Sequence, residues 1–294
     1  MATWDSSDGD IIRLEEFNTL VHNVQLRVSI MKKIVSQSST GAAKVTYYQE
    51  TARDINATRP LGRWEPFPSQ EIQYTELNAY IEKYGHEARC SLEDLLMHNV
   101  PIHERMAIRL GHGVALGVDQ RIWSMLAFGG ASATASPTHG IRTIAAGSLN
   151  PAGTWDAVVL ASRRPFEDLN LAIDQITSND NQAYDPDTAL INPYDWAQLM
   201  NNDTILANAA RRGATGTGEI ELVTGLTLMR SNVVTDDYAL VCQKKVCATW
   251  VSPQGQQVAY KDEPGQGRVY RAWEFGQCIV TDPASICLVS NTQK

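Results

Sequence analysis

Several features that mark common classes of protein are missing from this chain of 294 residues. No run of about 18 apolar residues occurs, so we expect no transmembrane helix and no membrane partner. The first residues, MATWDSSDGD, are polar and acidic, unlike a secretory signal peptide. The sequence also contains no G-x-S-x-G, Walker loop, H-E-x-x-H or C-x-x-C motif. We therefore predict a globular protein that folds in a cytosol and is not an enzyme.

Basic residues and cysteines are also few. The 25 Lys and Arg residues face 33 Asp and Glu residues, which gives a net charge of −8. This balance argues against a sequence-reading nucleic-acid binder and against binding to an anionic membrane. The five cysteines are scattered and odd in number, unlike a secreted disulfide framework. Cys242 and Cys247 have a C-x4-C spacing that hints at zinc. Residues five apart in a strand face opposite sides, however, so buried reduced thiols are the preferred interpretation.

Three histidines lie in or beside a helix predicted over roughly 99–128, which raises the question of a metal site. His103 and His112 are nine residues apart and therefore lie on opposite faces of the helix, where one ion cannot reach both. We predict no metal site and no cofactor, and we interpret the segment as a long structural helix. Its glycines lower helix propensity and indicate that a neighbour packs close to the backbone. These glycines are Gly111, Gly113 and Gly117.

The N-terminal region has a strict heptad pattern, which predicts an amphipathic helix over 11–37. A polar linker, SQSSTGAA, follows over 36–43. One interpretation is a helix that docks on another subunit, and the alternative is a helix packed on its own domain. Under the first interpretation the seam residues are intersubunit contacts, and they are Leu14, Phe17, Val21, Val24, Val28 and Met31.

Residues 44–84 read as two strands joined by a long connection rich in proline, arginine and aromatic residues. Connections of this length are usually functional in compact domains. Arginine and aromatic side chains are enriched at protein interfaces, so we predict an arm that reaches a neighbouring subunit. The alternative is an ordinary surface hairpin. The predicted contact residues of the arm are Tyr47, Arg59, Arg63, Trp64 and Phe67.

The rest of the chain alternates between helices and strands. A second amphipathic helix is predicted over about 165–178, and residues 188–203 read as a strand followed by a helix that begins at Pro193. From residue 219 onward the pattern is mostly that of β-strands. The chain is therefore predicted to have an α+β fold.

The order of these elements resembles the major capsid protein of tailed phages, which has the Hong Kong 97-type fold. EKYGHEARCSLEDLLMHN and RLGHGVALGVDQRIWSMLAFGG resemble the segment that leads into and along the long spine helix of that family, including Asp119 near its end. TALINPYDWAQLMN resembles the strand and helix of the axial domain. GLTLMRSNVVTDDYALV and WEFGQCIVTDPASICLVSN resemble the later strands. The resemblance covers about 42–292, and it lies in the ordered set of patterns.

This resemblance implies a Hong Kong 97-like division of the chain. It implies an N-terminal arm with an amphipathic helix (1–43), an extended-loop hairpin (44–84), a peripheral domain with the spine helix (85–150), an axial domain (151–235) and peripheral return strands (236–294).

The implied function is that of a structural shell protein. Copies would assemble as hexamers and pentamers into an icosahedral shell that encloses double-stranded DNA without sequence-specific contacts. The principal partner would be the chain itself, together with scaffolding, portal and decoration proteins. Its location would be the virion capsid, assembled in the host cytoplasm.

Two other functions fit the sequence. An encapsulin-type nanocompartment shell has the same fold, and its N-terminal helix binds cargo peptides. Packaged nucleic acid rather than a cargo enzyme would distinguish a capsid from it. An unrecognised soluble cytosolic enzyme would instead form a discrete small oligomer with a pocket of perturbed carboxylates or histidines.

Overall fold

Two sheets and one long helix organise the computed structural model. The structure describes residues 19, 21, 23, 29–52, 60–61, 63–64, 66–67, 69, 73–93, 102–129, 141–148, 153–159, 162–178, 184–209, 219–222 and 224–293. Its mixture of helices and sheets confirms the predicted α+β class.

The first sheet has five strands, and its long central strand pairs with three others. These strands are β1 (Ser36–Ser39), β4 (Glu82–Ser91), β10 (Ala248–Ser252), β11 (Gln257–Glu263) and β12 (Gly267–Val280). Strand β12 pairs antiparallel with β4, β10 and β11, while β1 runs parallel to β10. A separate hairpin of β2 (Lys44–Ala52) and β3 (Gln73–Tyr80) adjoins this sheet.

The second sheet has six strands in the order β5-β13-β9-β6-β8-β7. These strands are β5 (Arg142–Ala145), β6 (Thr188–Ile191), β7 (Glu219–Glu221), β8 (Thr227–Arg230), β9 (Tyr238–Cys242) and β13 (Ile286–Ser290). Leu190, Leu240 and Leu288 lie on one buried face, and their chain neighbours lie in a separate core on the other face. Both faces are therefore covered, which explains why these strands read as continuous apolar runs.

The helices cover these faces. They are α1 (Met31–Ile34), α2 (Ile102–Phe128), α3 (Pro165–Thr177), α4 (Pro193–Met200) and α5 (Asp203–Ala209), with a 3-10 turn at Pro283–Ser285. Helix α2 packs along the first sheet and also contacts the second. Its residues Ile122, Leu126 and Phe128 belong to one hydrophobic core together with residues of both sheets. Helices α3 and α4 cover the far face of the second sheet.

Local signals place several of these elements well. Asn192 caps α4 by accepting a hydrogen bond from the Tyr194 N–H at 2.8 Å, and Pro193 occupies the first turn, as the sequence predicts. The prediction that a neighbour packs against the glycines of α2 is confirmed at Gly113. A Cβ atom there would lie 2.5 Å from the His86 ring of β4.

Two sequence predictions are corrected by the structure. Within residues 29–37, the described end of the helix predicted over 11–37, only Met31–Ile34 is helical. The first part of the predicted linker forms β1 because it pairs with β10. The domain division stays a prediction; its boundary at 84/85 falls within β4, and residues 236–294 contribute strands to both sheets.

The prediction that Cys242 and Cys247 face opposite sides is also wrong. A turn follows β9 at Lys244, so the two residues do not share one strand, and their thiols are hydrogen-bonded. That contact and burial raise the pKa of Cys242. All five cysteines are free and buried, which confirms the interpretation of reduced, buried thiols.

Candidate assembly surfaces

The β2–β3 hairpin has two chemically different faces because side chains alternate along paired strands. One face carries Val45 and Ala79, which pack on Val251 and Ile279 of the first sheet. Gln49 fixes the same face by donating a hydrogen bond from Nε2 to the Val280 carbonyl at 3.3 Å. The hairpin is therefore seated on its own chain through one face only.

The opposite face of the hairpin is exposed and rich in tyrosine. Tyr48, Tyr74 and Tyr80 expose 64%, 56% and 64% of their surface. Thr46 donates a hydrogen bond to Asn78 Oδ1 at 2.9 Å across the two strands, and Tyr48 pairs with Glu76. We call this surface the tyrosine face, and it consists of Lys44, Thr46, Tyr48, Tyr74, Glu76, Asn78 and Tyr80.

The connection beyond the hairpin presents large side chains to solvent. Trp64 is 98% exposed and Phe67 is 86% exposed, and Arg63 beside them is exposed as well. These three predicted contact residues are therefore available to a partner. Arg59, predicted with them, lies outside the described residues.

Tyr47 lies on the other side of the hairpin from the exposed tyrosines, and its predicted intersubunit contact stays a prediction. Its side chain lies on the seated face of the hairpin and packs with Val45 against Ala79, Val251 and Ile279. Burial raises the pKa of the Tyr47 hydroxyl. The period of two along β2 separates Tyr47 from Tyr48, and only the second is directed toward solvent. Tyr48 was missed because the sequence alone does not show which face of a hairpin is seated.

The heptad residues that the structure describes are also corrected. Val21 is fully buried with Leu110 and Val114 of α2, and Met31 is fully buried in the core shared by the two sheets. Neither side chain is available to another subunit, so here the alternative of packing on the same chain holds. The other four predicted seam residues lie outside the described residues, and they are Leu14, Phe17, Val24 and Val28.

Asp119 of α2 holds the N-terminal segment in place. Its carboxylate accepts a hydrogen bond from the Ser29 hydroxyl at 2.6 Å and one from the Ile30 N–H at 3.0 Å. The carboxylate is buried, which raises its pKa, although the hydrogen bonds from this segment act in the opposite direction. A buried acceptor on α2 thus satisfies donors that precede the four-residue helix α1.

A second contact of the same segment is an ion pair between Lys32 and Glu274. Lys32 Nζ lies 2.5 Å from Glu274 Oε1, and the two side chains are 15% and 3% exposed. The Trp250 indole also donates a hydrogen bond to Glu274 Oε1 at 3.1 Å. Trp250 lies over Gly276, where an added Cβ would come within 2.2 Å of the indole ring. Residues 29–39 are thereby built into the first sheet and its core.

The side of the first sheet opposite α2 carries a cluster of basic and aromatic side chains. Lys83 Nζ lies 5.0 Å from the centre of the Trp273 ring and 5.5 Å from that of Phe275. Arg271 and Arg89 both donate hydrogen bonds to Glu87, at 2.7 and 3.0 Å. We call this surface the basic face, and it consists of Lys83, Glu87, Arg89, Lys261, Glu263, Arg271, Trp273 and Phe275.

The second sheet carries a buried carboxylate at Asp195, in the first turn of α4. The Thr292 hydroxyl donates a hydrogen bond to Asp195 Oδ2 at 2.7 Å, whereas Oδ1 is buried without a partner. Burial, with the nearby charges of Asp237 and Asp156, raises the pKa of Asp195 to about 6. The C-terminal segment is therefore held by a group that titrates near neutral pH.

A short loop beside α3 presents two valines to solvent. Val158 is 90% exposed and Val159 is 63% exposed. The loop is held by buried Trp155, whose indole donates a hydrogen bond to Asp168 Oδ2 at 2.9 Å. Arg163 holds it from the other end, because its Nε donates to the Ala157 carbonyl at 2.6 Å. The exposed valines therefore lie on a fixed backbone.

Two features are absent from the residues that the structure describes. Among these residues, no three His, Cys, Asp or Glu side chains are grouped so that they could hold a metal ion. None of the helices in the same part of the chain combines the length and hydropathy that a membrane-spanning helix needs.

Comparison with known families gives one match that covers most of the chain. A family model described as phage capsid protein matches residues 74–289. No curated protein sequence matches the chain significantly.

Three solved structures that are similar to this chain are two phage capsids and a virus-like particle. The capsid of Ralstonia phage GP4 has a TM-score of 0.66 at 12% identity, over 100% of this chain and 95% of that chain. The capsid of the cyanophage P-SCSP1u has a TM-score of 0.65 at 15% identity, over 99% and 92%. A virus-like particle from Pyrococcus furiosus has a TM-score of 0.65 at 11% identity, over 95% and 100%. These likenesses show the fold, and the predicted Hong Kong 97-type architecture is confirmed.

Proposed function

Because the chain belongs to the phage capsid protein family, we propose that its copies assemble as hexamers and pentamers into a closed icosahedral shell around double-stranded DNA. The observation that carries this proposal is the nearly complete exposure of Trp64 and Phe67 on an arm seated through one face only. Soluble proteins rarely expose large apolar patches that have no partner. Contact with a neighbouring copy would cover these side chains.

Assembly in this proposal depends on many modest contacts rather than on turnover. Burying one large apolar side chain contributes about 1.5–3 kcal/mol, and a shell repeats each contact many times. The net charge of −8 supports the enclosure of DNA without sequence-specific contacts, because acidic groups that repel phosphates outnumber basic groups. The shell would be the capsid of a virion assembled in the host cytoplasm. Scaffolding, portal and decoration proteins are further partners in the proposal.

The experiment that tests the arm replaces Arg63 and Trp64 by alanine. Both side chains are exposed, so the variant should keep the circular dichroism of the wild-type chain. We expect particle yield to fall and the denaturant concentration for particle dissociation to decrease, because each copy loses the tryptophan that a neighbouring copy would cover. A matched control replaces the exposed residues Lys33 and Gln254 by alanine. Shells of wild-type yield and stability from the arm variant would contradict the proposal.

The role of the N-terminal region is tested by truncation. Residues 29–39 form part of the fold, so a deletion that extends to residue 37 would remove core contacts such as that of Met31. Deletion of residues 1–18 ends before the described positions. If this region mediates assembly or scaffold contact, the truncated chain should stay folded but form no closed shells. Normal shells would show that the region is dispensable.

A nanocompartment shell is the second candidate, because the virus-like particle from Pyrococcus furiosus has a fold as similar as those of the phage capsids. Both candidates predict closed shells in electron micrographs. The content of the particles distinguishes them, since a capsid contains nucleic acid and a nanocompartment contains cargo protein. The ratio of absorbance at 260 nm to that at 280 nm in purified particles, before and after nuclease treatment, measures this content.

A further inference from the structure

We propose that the exposed face of helix α2 binds the phosphate groups of the enclosed DNA. This inference rests on the proposed function, because it names the surface through which each copy would contact the packaged duplex. We call this surface the helix stripe, and it consists of the exposed residues Arg105, Ile108, Arg109, His112, Leu116 and Gln120.

The helix stripe is one continuous face of a long helix. Successive residues of an α-helix are rotated by about 100°, so these positions all fall within about 120° around the axis. The opposite side of α2 carries Leu110 and Val114, which are buried against Tyr270 and Ala272 of β12. The burial of one side of α2 therefore fixes the direction in which the helix stripe faces.

The helix stripe is cationic in a chain that is acidic as a whole. The span from Arg105 to Val118 contains no Asp or Glu, although the chain has 33 of them in 294 residues. Arg105 and Arg109 supply two guanidinium groups, and His112 adds an imidazole N–H donor. Within the part of the chain that the structure describes, neither arginine has an ion-pair partner. Both guanidinium groups are therefore available to an external anion.

Carboxylates on the same side of the first sheet as α2 have cations of their own. Strand alternation places three acidic residues of β4, β11 and β12 on this side, and each forms an ion pair. These pairs are Glu82 with Arg121, Glu274 with Lys32, and Asp262 with Arg268. Their charges are therefore compensated, and they do not neutralise the arginines of the helix stripe.

The helix stripe matches DNA phosphates in chemistry and in spacing. Arg105 lies about 6 Å from Arg109 and about 10 Å from His112 along the axis, at about 1.5 Å per residue. One DNA strand presents a phosphate about every 3.4 Å along the duplex axis, so separate side chains can reach separate phosphates. Arginine binds phosphate oxygens through paired hydrogen bonds. Such contacts carry no base sequence, in agreement with the proposed enclosure of DNA.

The apolar residues of the helix stripe define the competing occupant, which is an acidic segment of another protein. Such a segment would cover Ile108 and Leu116, which are 39% and 45% exposed. More than half of each apolar side chain is thus already covered by its own chain, whereas the guanidinium groups of Arg105 and Arg109 have no carboxylate. The larger unmet interaction is electrostatic, and it favours DNA.

The salt dependence of DNA binding tests this inference. Fluorescence anisotropy measures the affinity of the unassembled chain for a labelled DNA duplex at about 50 to about 200 mM salt. Variant S carries Arg105→Ala and Arg109→Ala. The slope of log affinity against log salt should be smaller in S by about 1.8, because each phosphate contact contributes about 0.9. The ratio of the affinities at the two salt concentrations should accordingly be about twelvefold smaller in S than in the wild type.

Two control variants separate a local contact from a general effect of charge. Variant C carries Arg89→Ala and Lys261→Ala, which remove the same two charges from the basic face on the other side of the sheet. Variant K carries Arg105→Lys and Arg109→Lys, which retain the charge of the helix stripe. Both should keep the wild-type slope. Circular dichroism of all variants should match the wild type, and if S differs, the pair Arg105→Gln and Arg109→Gln replaces it.

The outcomes distinguish this inference from the proposed function. A wild-type slope in S, or equal losses of slope in S and C, would overturn the inference. If S binds DNA as the wild type does but forms no closed shells, the helix stripe binds protein and the inference is wrong, while the proposed function stands. Wild-type chains that form no shells with scaffold co-expressed, or shells that contain cargo protein in place of nucleic acid, would overturn the proposed function itself.

Discussion

Replacement of Asp195 by asparagine should make the chain more stable at pH 8 and leave its stability at low pH unchanged. The Asp195 side chain is fully buried, one of its oxygens has no partner, and Asp156 and Asp237 are the charged groups near it. These surroundings disfavour the ionised carboxylate. Asparagine has nearly the same shape and carries no charge, so it retains the packing and removes the repulsion.

The magnitude follows from the pKa of about 6 in the folded chain, compared with an ordinary value of 3.8. Because the folded pKa is raised, the stability contribution of Asp195 is fully present below the unfolded pKa and is lost as the pH rises through 6. A difference of about two pKa units corresponds to about 3 kcal/mol, and relaxation of the surroundings of the buried carboxylate reduces the expected change to about 2 kcal/mol. The free energy of unfolding of the wild type should therefore fall by this amount between about pH 4 and pH 7, as Asp195 ionises.

The assay is urea unfolding followed by tryptophan fluorescence, for the wild type and the variant at several pH values. The difference in free energy of unfolding should be about 2 kcal/mol in favour of Asp195→Asn at pH 8 and should vanish near pH 4. Exposed Asp185→Asn is the matched control and should show no such dependence. A variant that is less stable than the wild type at pH 8 would refute the reasoning, because it would mean that the charge itself is needed.

Two further substitutions test contacts in the first sheet and its helix. Asp119→Ala leaves the Ser29 hydroxyl and its neighbouring N–H groups without their acceptor, which should cost about 2 kcal/mol and make residues 29–39 sensitive to limited proteolysis. Unchanged protease resistance would show that the segment is held by other contacts. Gly276→Ala places a methyl group against the Trp250 ring and should lower stability in urea by about 1–3 kcal/mol. Gly255→Ala, where no atom lies within 4 Å, is its control, and equal effects of the two would contradict the packing argument.

The elements that sequence analysis predicted well have local causes. Helix α4 begins where an asparagine precedes a proline, and α2 has a continuous apolar stripe over 27 residues. Strand β1 has no such signal. Ser36–Ser39 is polar and short, and it becomes a strand only because it pairs with β10, more than 200 residues later in the chain. Sequence periodicity cannot reveal that two strands so far apart in the chain pair with each other.

The same distinction between local and long-range causes applies to the candidate surfaces. The exposure of Trp64 and Phe67 was predictable because arginine, proline and aromatic residues interrupt the strand pattern around them. The packing of Tyr47 and the exposure of Tyr48 depend on which side of the hairpin faces the sheet. That side is set by contacts with residues near position 280, which no local pattern in the arm contains. The basic face is likewise assembled from β4 and the consecutive strands β11 and β12, which lie more than 160 residues later in the chain.

The position of β13 has a consequence for synthesis on the ribosome. This strand, Ile286–Ser290, lies between β5 and β9 and supplies residues to both faces of the second sheet. In a nascent chain whose residues 286–290 are still in the ribosome, the edge strand β5 is not connected to β9, and the backbone groups of both strands that pair with β13 lack their partners. The second sheet can therefore close only after translation has passed this strand. Prematurely terminated products would lack the closed sheet and would be excluded from any structure built of complete copies.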